Sequence, residues 1–279
     1  MITQRPDPAL DAFVSAVSVP DEEIDLARAA LVIAQAEQPD LDVEGYLESL
    51  RALAGKVVKR AGPRTTTRRQ VRALIDVVHR ELGLRGVRAD CQEEYYDPRN
   101  SFLNHVLDRR IGIPISLSVV LMSVGARAGI PLGGIDMPIH FLVRVLGLPE
   151  PLMIDCFDSG RLLSRLDCAR MLKQMSGGRW PFRPDMLEIV SNASILSRML
   201  TNLLLTYHRT GQLRKAVAIL DRMLVLNPDQ PAFLRNRGVI LCQLGELARA
   251  RPDLERYLQC APQTVDTAQI RRLLKSINR

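Results

Sequence analysis

The chain is short of histidine, aromatic residues and paired cysteines, and each shortage removes a class of function. It has four histidines in 279 residues and no HExxH among them, so no zinc-hydrolase motif is present. Its five cysteines are irregularly spaced and include no CxxC pair. That argues against a disulfide framework or a zinc ribbon and suits reduced thiols. Long apolar runs are missing too. The longest uncharged stretch, Ile111 to Ala126, is too short to span a bilayer and contains Gly112 and Pro114. The opening MITQRPDPALD carries acids and prolines where a secretory leader would need a basic and then an apolar run. The expectation is a cytoplasmic protein with no membrane contact.

Acidic residues are scarce after the first fifty positions. Residues 1–50 hold eleven acids against two arginines, so the net charge of +7 hides a net +16 on the remainder. Lys56 to Arg72 holds seven basic residues (Lys56, Lys59, Arg60, Arg64, Arg68, Arg69 and Arg72) and no acid. Such a run attracts phosphate, but no aromatic residue lies within it to stack on a base. We read it as a solvated helix end and loop, with nucleic acid not expected as a partner.

Three regions separate along the chain. Residues 1–83 read as helical, with helices expected at Asp21–Ala36, Asp42–Arg60 and Thr65–Leu82. Residues 84–187 mix helix and strand, and 188–279 read as all helix. The link SGGRWPFRP is the expected boundary between the last two regions. The third region repeats itself with a period of 34 residues. Gly211 recurs as Gly245, Ala216 as Ala250, Leu220 as Leu254, Leu224 as Leu258 and Pro228 as Pro262. This pattern resembles the tetratricopeptide repeat, with units at 197–230 and 231–264 and a capping helix at 266–277. Such arrays hold a peptide or protein segment, which makes a protein the expected partner. Two units bury little by themselves, so the array is expected to pack on a neighbour.

The central region carries the chemistry. Pro114 has the fixed backbone angle suited to a first helical turn, and the residues from Ile115 to Ala128 suit a helix buried on nearly all sides. Phe141 to Leu146 and Leu152 to Phe157 read as two strands joined by the turn Gly147 to Pro151. His140 and Asp155 are nearly symmetric about that turn and should lie close across an antiparallel ladder.

These residues resemble the transglutaminase-like (papain-like) superfamily, in which a buried helix starts at the site and a histidine and an aspartate follow on successive strands. EEYYDPRNSFLNHVLDRRIGIPISLS, PIHFLVRV and MIDCFDSG more closely resemble a bacterial family described as regulators of sirC expression. That family pairs a transglutaminase-like domain with tetratricopeptide repeats. The resemblance implies an α+β fold with a helical N-terminal region, a transglutaminase-like core with a small antiparallel sheet, and a C-terminal all-α repeat array. It also implies a cysteine nucleophile at the helix start, activated by the histidine that the aspartate orients. Counting back from Gly129-Ile130-Pro131, that position falls on or near Pro114, and no cysteine occurs between Cys91 and Cys156. The thiol is missing.

Several groups are candidates to stand in for it. Ser116 would complete a Ser116-His140-Asp155 triad, although serine near a helix start more often caps or packs, and Ser116→Ala would then cost only ~1 kcal/mol. Cys91 would have to swing in, and Cys156 should point to the face opposite Asp155. A metal held by His105, His140 and Asp155 would lack any ligand-spacing motif. Asn100, Asn104, Pro114 and Arg144 are expected to line the cleft or brace its loops, with Arg144 in reach of Asp155 or Asp158. His79 and His208 sit in helical contexts and draw no special reading. The sequence therefore favours a noncatalytic interaction or regulatory scaffold without a cofactor. The alternative is a hydrolase or acyltransferase using Ser116, His140 and Asp155.

Overall fold

Side-chain caps fix where the first helices begin. The computed structural model describes residues 7–88, 91–261 and 265–277. Helix α1 spans Pro8–Val17, α2 Leu26–Gln35, α3 Val43–Ala61 and α4 Thr67–Ile75. Asp25 caps α2 by accepting from the Ala27 and Arg28 amides, Asp42 caps α3 through Gly45, and Thr66 caps α4 through Arg69. The helix expected from Asp21 thus starts later, after a short 3-10 turn at Asp21–Glu23. Asp21 has another task. Its carboxylate accepts from the Asn192 and Ala193 amides at 2.8 and 2.9 Å, capping a helix some 170 residues downstream. The helix expected to end at Leu82 does not stay α-helical. After Ile75 it widens into a π-helical turn, Asp76–Glu81.

The core is built around one helix. Strand β1 (Arg85–Gly86) pairs in parallel with β2 (Ile111–Gly112), and between them lie the short helices α5 (Gln92–Tyr95) and α6 (Leu103–Arg109). Helix α7, Pro114–Arg127, follows directly and is buried from Pro114 to Gly125. It packs against α2, α3, α4, α6, β3 and β4, which explains why its sequence shows no polar face. Gly125 leaves room near its end for the Leu132 side chain, which a Cβ there would approach to 2.5 Å.

Strands β3 (Leu132–Ile135), β4 (Leu142–Val145), β5 (Leu152–Asp155) and β6 (Arg161–Leu163) form an antiparallel sheet in sequential order. Val143 pairs with Ile154 and Arg144 with Met153, which makes β4–β5 the expected hairpin, turning at Gly147 with φ +74°. One face carries Ile135, Leu142, Met153 and Leu163 into a cluster with Cys168 and Leu172 of helix α8, Arg165–Met175. The pairing of β1 with β2 and the outer strands β3 and β6 were not anticipated.

The remaining helices are α9 (Asn192–Arg209), α10 (Leu213–Leu226), α11 (Pro231–Gln243), α12 (Leu247–Cys260) and α13 (Thr267–Ile277). Gly211 and Gly245, at φ +67° and +76°, turn the chain between paired helices. Ala216 and Ala250 are fully buried, and Gly238 lets α11 approach α12 so closely that a Cβ would sit 2.6 Å from Leu254. Leu224, Leu234, Leu254, Tyr257 and Ile270 form one cluster, which packs α13 against α12. Pro262, expected to close the second unit, lies outside the described residues. The chain divides into two compact units, Ser15–Met199 and, together, Met1–Val14 with Leu200–Arg279.

Candidate functional site

The site is assembled where β5 ends. Asp155 is its last residue and is 4% exposed, and His140, 5% exposed, lies just ahead of β4. The His140 ring nitrogen Nε2 lies 2.9 Å from Asp155 Oδ1. In the ladder register Leu142 would stand opposite Asp155, so His140 reaches its partner from two residues beyond the strand. The same Oδ1 accepts from the Phe157 and Asp158 amides at 3.0 and 3.3 Å, which ties the carboxylate to its own loop.

The backbone before His140 is strained. Ile139, half-exposed, has φ +72°, a conformation that a β-branched residue rarely adopts. Phe157 meets the His140 ring edge to face at 6.1 Å, and Gly86 in β1 packs directly on that phenyl ring. The small parallel pair β1–β2 therefore supports the histidine's wall.

Ser116 is elsewhere engaged. Its hydroxyl donates to the Asn100 carbonyl at 2.6 Å, lies 3.1 Å from the Ile113 carbonyl, and accepts from the Ile113 amide at 3.1 Å. It is fully buried and, among the described residues, makes no hydrogen bond to His140. Pro114 holds the first position of α7. Asn100, also fully buried, donates to the Glu94 and Tyr95 carbonyls and accepts from Arg109. Asn104 donates to Gln38, whose amide nitrogen lies 2.6 Å from His105 Nε2. Arg144 reaches the Leu187 carbonyl at 3.4 Å, whereas Asp158 pairs with Arg161, so the expected approach of Arg144 to these acids is not what forms. Cys156 turns away from Asp155 toward Ser118 on α7, and burial pushes its thiol up to about 12, which makes it a poor nucleophile.

One further histidine lies near Asp155. His79, in the π-helical turn, places Nδ1 2.8 Å from the Leu84 carbonyl and has no partner for its buried Nε2. Its ring packs against Gly160, which closes the loop begun by Asp155. Desolvation lowers its proton affinity below the ordinary 6.5, against the opposing pulls of the Leu84 carbonyl and the Asp155 charge. The signal was the turn itself, because π-helical turns gather at functional sites, but nothing in the residue types announces one. A depressed histidine favours the fold when neutral. Its contribution is therefore complete above pH 6.5 and is lost as pH falls toward the lowered native value. Thermal midpoints measured from about pH 7.5 to about pH 5 should fall, and His79→Gln should flatten that part of the slope. An unchanged slope would show that His79 does not titrate in this way.

A model described as the transglutaminase-like superfamily matches residues 44–201, and a tetratricopeptide repeat model matches 203–275. The chain is 38% identical over 272 residues to a UPF0162 protein of Xylella fastidiosa (strain 9a5c), covering 94% of this chain and 93% of that one. It belongs to the UPF0162 family. A UPF0162 protein of Vibrio cholerae is 30% identical over 247 residues, covering 87% of this chain and 89% of that one. The murine F-box only protein 21 is 29% identical over 180 residues, which cover 61% of this chain and 27% of the mouse protein. This chain thus combines a transglutaminase-like region with a tetratricopeptide repeat region. Among the described residues no helix is long and apolar enough to cross a membrane.

Proposed function

We propose that this UPF0162 protein is a noncatalytic interaction or regulatory scaffold whose transglutaminase-like site has lost its nucleophile. Its repeat array binds a protein or peptide segment. A regulatory effect of the kind implied by the resemblance to regulators of sirC expression would act through that partner. The observation that carries this reading is the Ser116 hydroxyl, which is buried and engaged with backbone groups on both sides of the helix start. To attack a carbonyl it would have to leave those groups unpaired, at roughly 1–3 kcal/mol for each buried group. Cys156, the thiol that follows Asp155, is fully buried and hard to ionise.

A second reading has its own support. A histidine oriented by an aspartate, behind a strained Ile139, is an arrangement that costs stability and suits chemistry. In that reading Ser116, His140 and Asp155 serve a hydrolase or acyltransferase. An activity-based probe for serine and cysteine hydrolases separates the two. We expect it to label neither the wild type nor Ser116→Ala. Labelling of the wild type that disappears in Ser116→Ala would overturn the scaffold reading.

A further inference from the structure

Gln38, in the link between α2 and α3, lies between two side chains of α6. Its carboxamide oxygen accepts from Asn104 Nδ2 at 2.7 Å, and its nitrogen lies 2.6 Å from His105 Nε2. A carboxamide donates only from nitrogen and accepts only at oxygen. With its oxygen turned to Asn104, Gln38 offers His105 an N–H, and Nε2 accepts it only with a free lone pair. In that sense of the row the imidazole is neutral and carries its proton on Nδ1. Asn104 is 2% exposed, and its own oxygen, Oδ1, is buried without a partner. That idle acceptor makes the row reversible.

If Nε2 gains a proton, two donors face each other at 2.6 Å, and Gln38 has to turn its amide over. Its oxygen then accepts from His105 and its N–H points at Asn104, which turns over in the same way and accepts at Oδ1. Both bonds survive with opposite polarity. The idle group left in the buried position is then an amide nitrogen. Buried N–H groups go without a partner less often than oxygens do, so only the proton favours the reversed row. The charged groups acting on the imidazole are Asp108 and Arg109 on α6, and Asp97 and Arg99 around the preceding 3-10 turn. Asp108 is itself bound by the Tyr46 hydroxyl of α3 at 2.7 Å. Acids and arginines pull in opposite senses, and burial lowers the proton affinity of His105 below the ordinary 6.5.

We propose that His105, Gln38 and Asn104 form a proton-operated relay, in which protonation of the half-buried imidazole reverses both amides and carries the change inward to Asn104. Helix α6 also holds Asn100 through Arg109, and Asn100 accepts from Ser116, so the relay adjoins the start of α7. It is separate from the His140–Asp155 pair and does not depend on what the repeat array binds.

The test is nuclear magnetic resonance of the nitrogen-labelled full chain from about pH 7.5 to about pH 5.5, a range that brackets histidine titration. It reads the His105 ring nitrogens and the side-chain amides of Gln38 and Asn104. At the upper limit we expect Nδ1 to be protonated and Nε2 bare. As pH falls, both amide signals should move with the midpoint of His105. Gln38→Glu places a carboxylate that accepts from both neighbours. It should raise the His105 midpoint by about one unit, a tenfold gain in proton affinity, and leave the Asn104 signal still. In Gln38→Met, which keeps the length without the amide, His105 should titrate while Asn104 no longer follows. A protonated Nε2 at the upper limit, or a wild-type Asn104 amide indifferent to the His105 titration, would overturn the proposal. So would an Asn104 signal that still follows in Gln38→Met, or an unmoved midpoint in Gln38→Glu.

Discussion

Arg237→Ala is expected to destabilise the repeat array by roughly 3 kcal/mol, at the lower end of what breaking a buried ion pair costs. The Arg237 guanidinium grips Asp253 with two bonds, at 2.7 and 2.6 Å, and Asp221 with a third at 2.6 Å. It thereby joins α11 to both α10 and α12. Asp253 is 5% exposed and would be left as a buried charge without a partner, whereas Asp221 retains Arg249 at 3.7 Å. The guanidinium itself is about a quarter exposed, which keeps the figure from being larger. The double change Arg237→Ala with Asp253→Ala should cost less than the sum of the singles, because no orphaned charge remains. Helical circular dichroism during urea unfolding follows the helices of both units, so the array is read as the part of that transition that tryptophan fluorescence does not share. The single tryptophan, Trp180, lies in the other compact unit and serves as an internal reference. An unchanged dichroism midpoint would show that the three bonds contribute nothing net.

The second large effect concerns the dyad. His140→Ala and Asp155→Ala should each lower stability by roughly 1–3 kcal/mol, the cost of a buried polar group left unpaired. Asp155→Ala should be the worse of the two, since Oδ1 also holds the Phe157 and Asp158 amides. Their effects should be strongly non-additive, because either change alone breaks the shared bond. Asp155→Asn, which keeps an acceptor at that position, should fall between wild type and Asp155→Ala. The sequence suggested ~1 kcal/mol for Ser116→Ala as a simple cap. The structure raises that expectation to roughly 1–3 kcal/mol, since the change strands the buried Asn100 carbonyl and the Ile113 amide. Urea titrations of the four single variants and the double variant provide the check. Additive dyad effects, or a Ser116→Ala midpoint equal to wild type, would contradict this account.

What the sequence revealed and what it hid follow from the range of the interactions concerned. The mostly apolar run after Pro114 signalled a central helix, and the 34-residue recurrence signalled the repeats, because both patterns are local. The approach of His140 to Asp155 was legible from symmetry about one turn, although His140 lies outside the ladder that suggested it. The start of α2 was misplaced because three acids at Asp21–Glu23 imitate a helix N-terminus, while the capping carboxylate is Asp25. Asp21 instead caps α9, a partnership with no local signature. The short β1–β2 pair escaped notice for the same reason, as two residues on each side show no periodicity. Ser116 could be placed at the helix start, but what its hydroxyl bonds depends on Asn100, sixteen residues earlier and folded back over it.

The widened turn at Asp76–Glu81 makes chain length a structural variable. An α-helix advances about 100° per residue, so removing one residue ahead of His79 would let the turn tighten and would bring a different side chain to the place the imidazole now fills. His79 would leave Gly160, and the floor beneath the loop that carries Asp155 would go with it. Exposed Arg80 and Glu81 can change identity without such a shift, but the segment cannot lose a member. The spacing from Ile75 to Leu82 is therefore as much a part of the site as the residues that touch it.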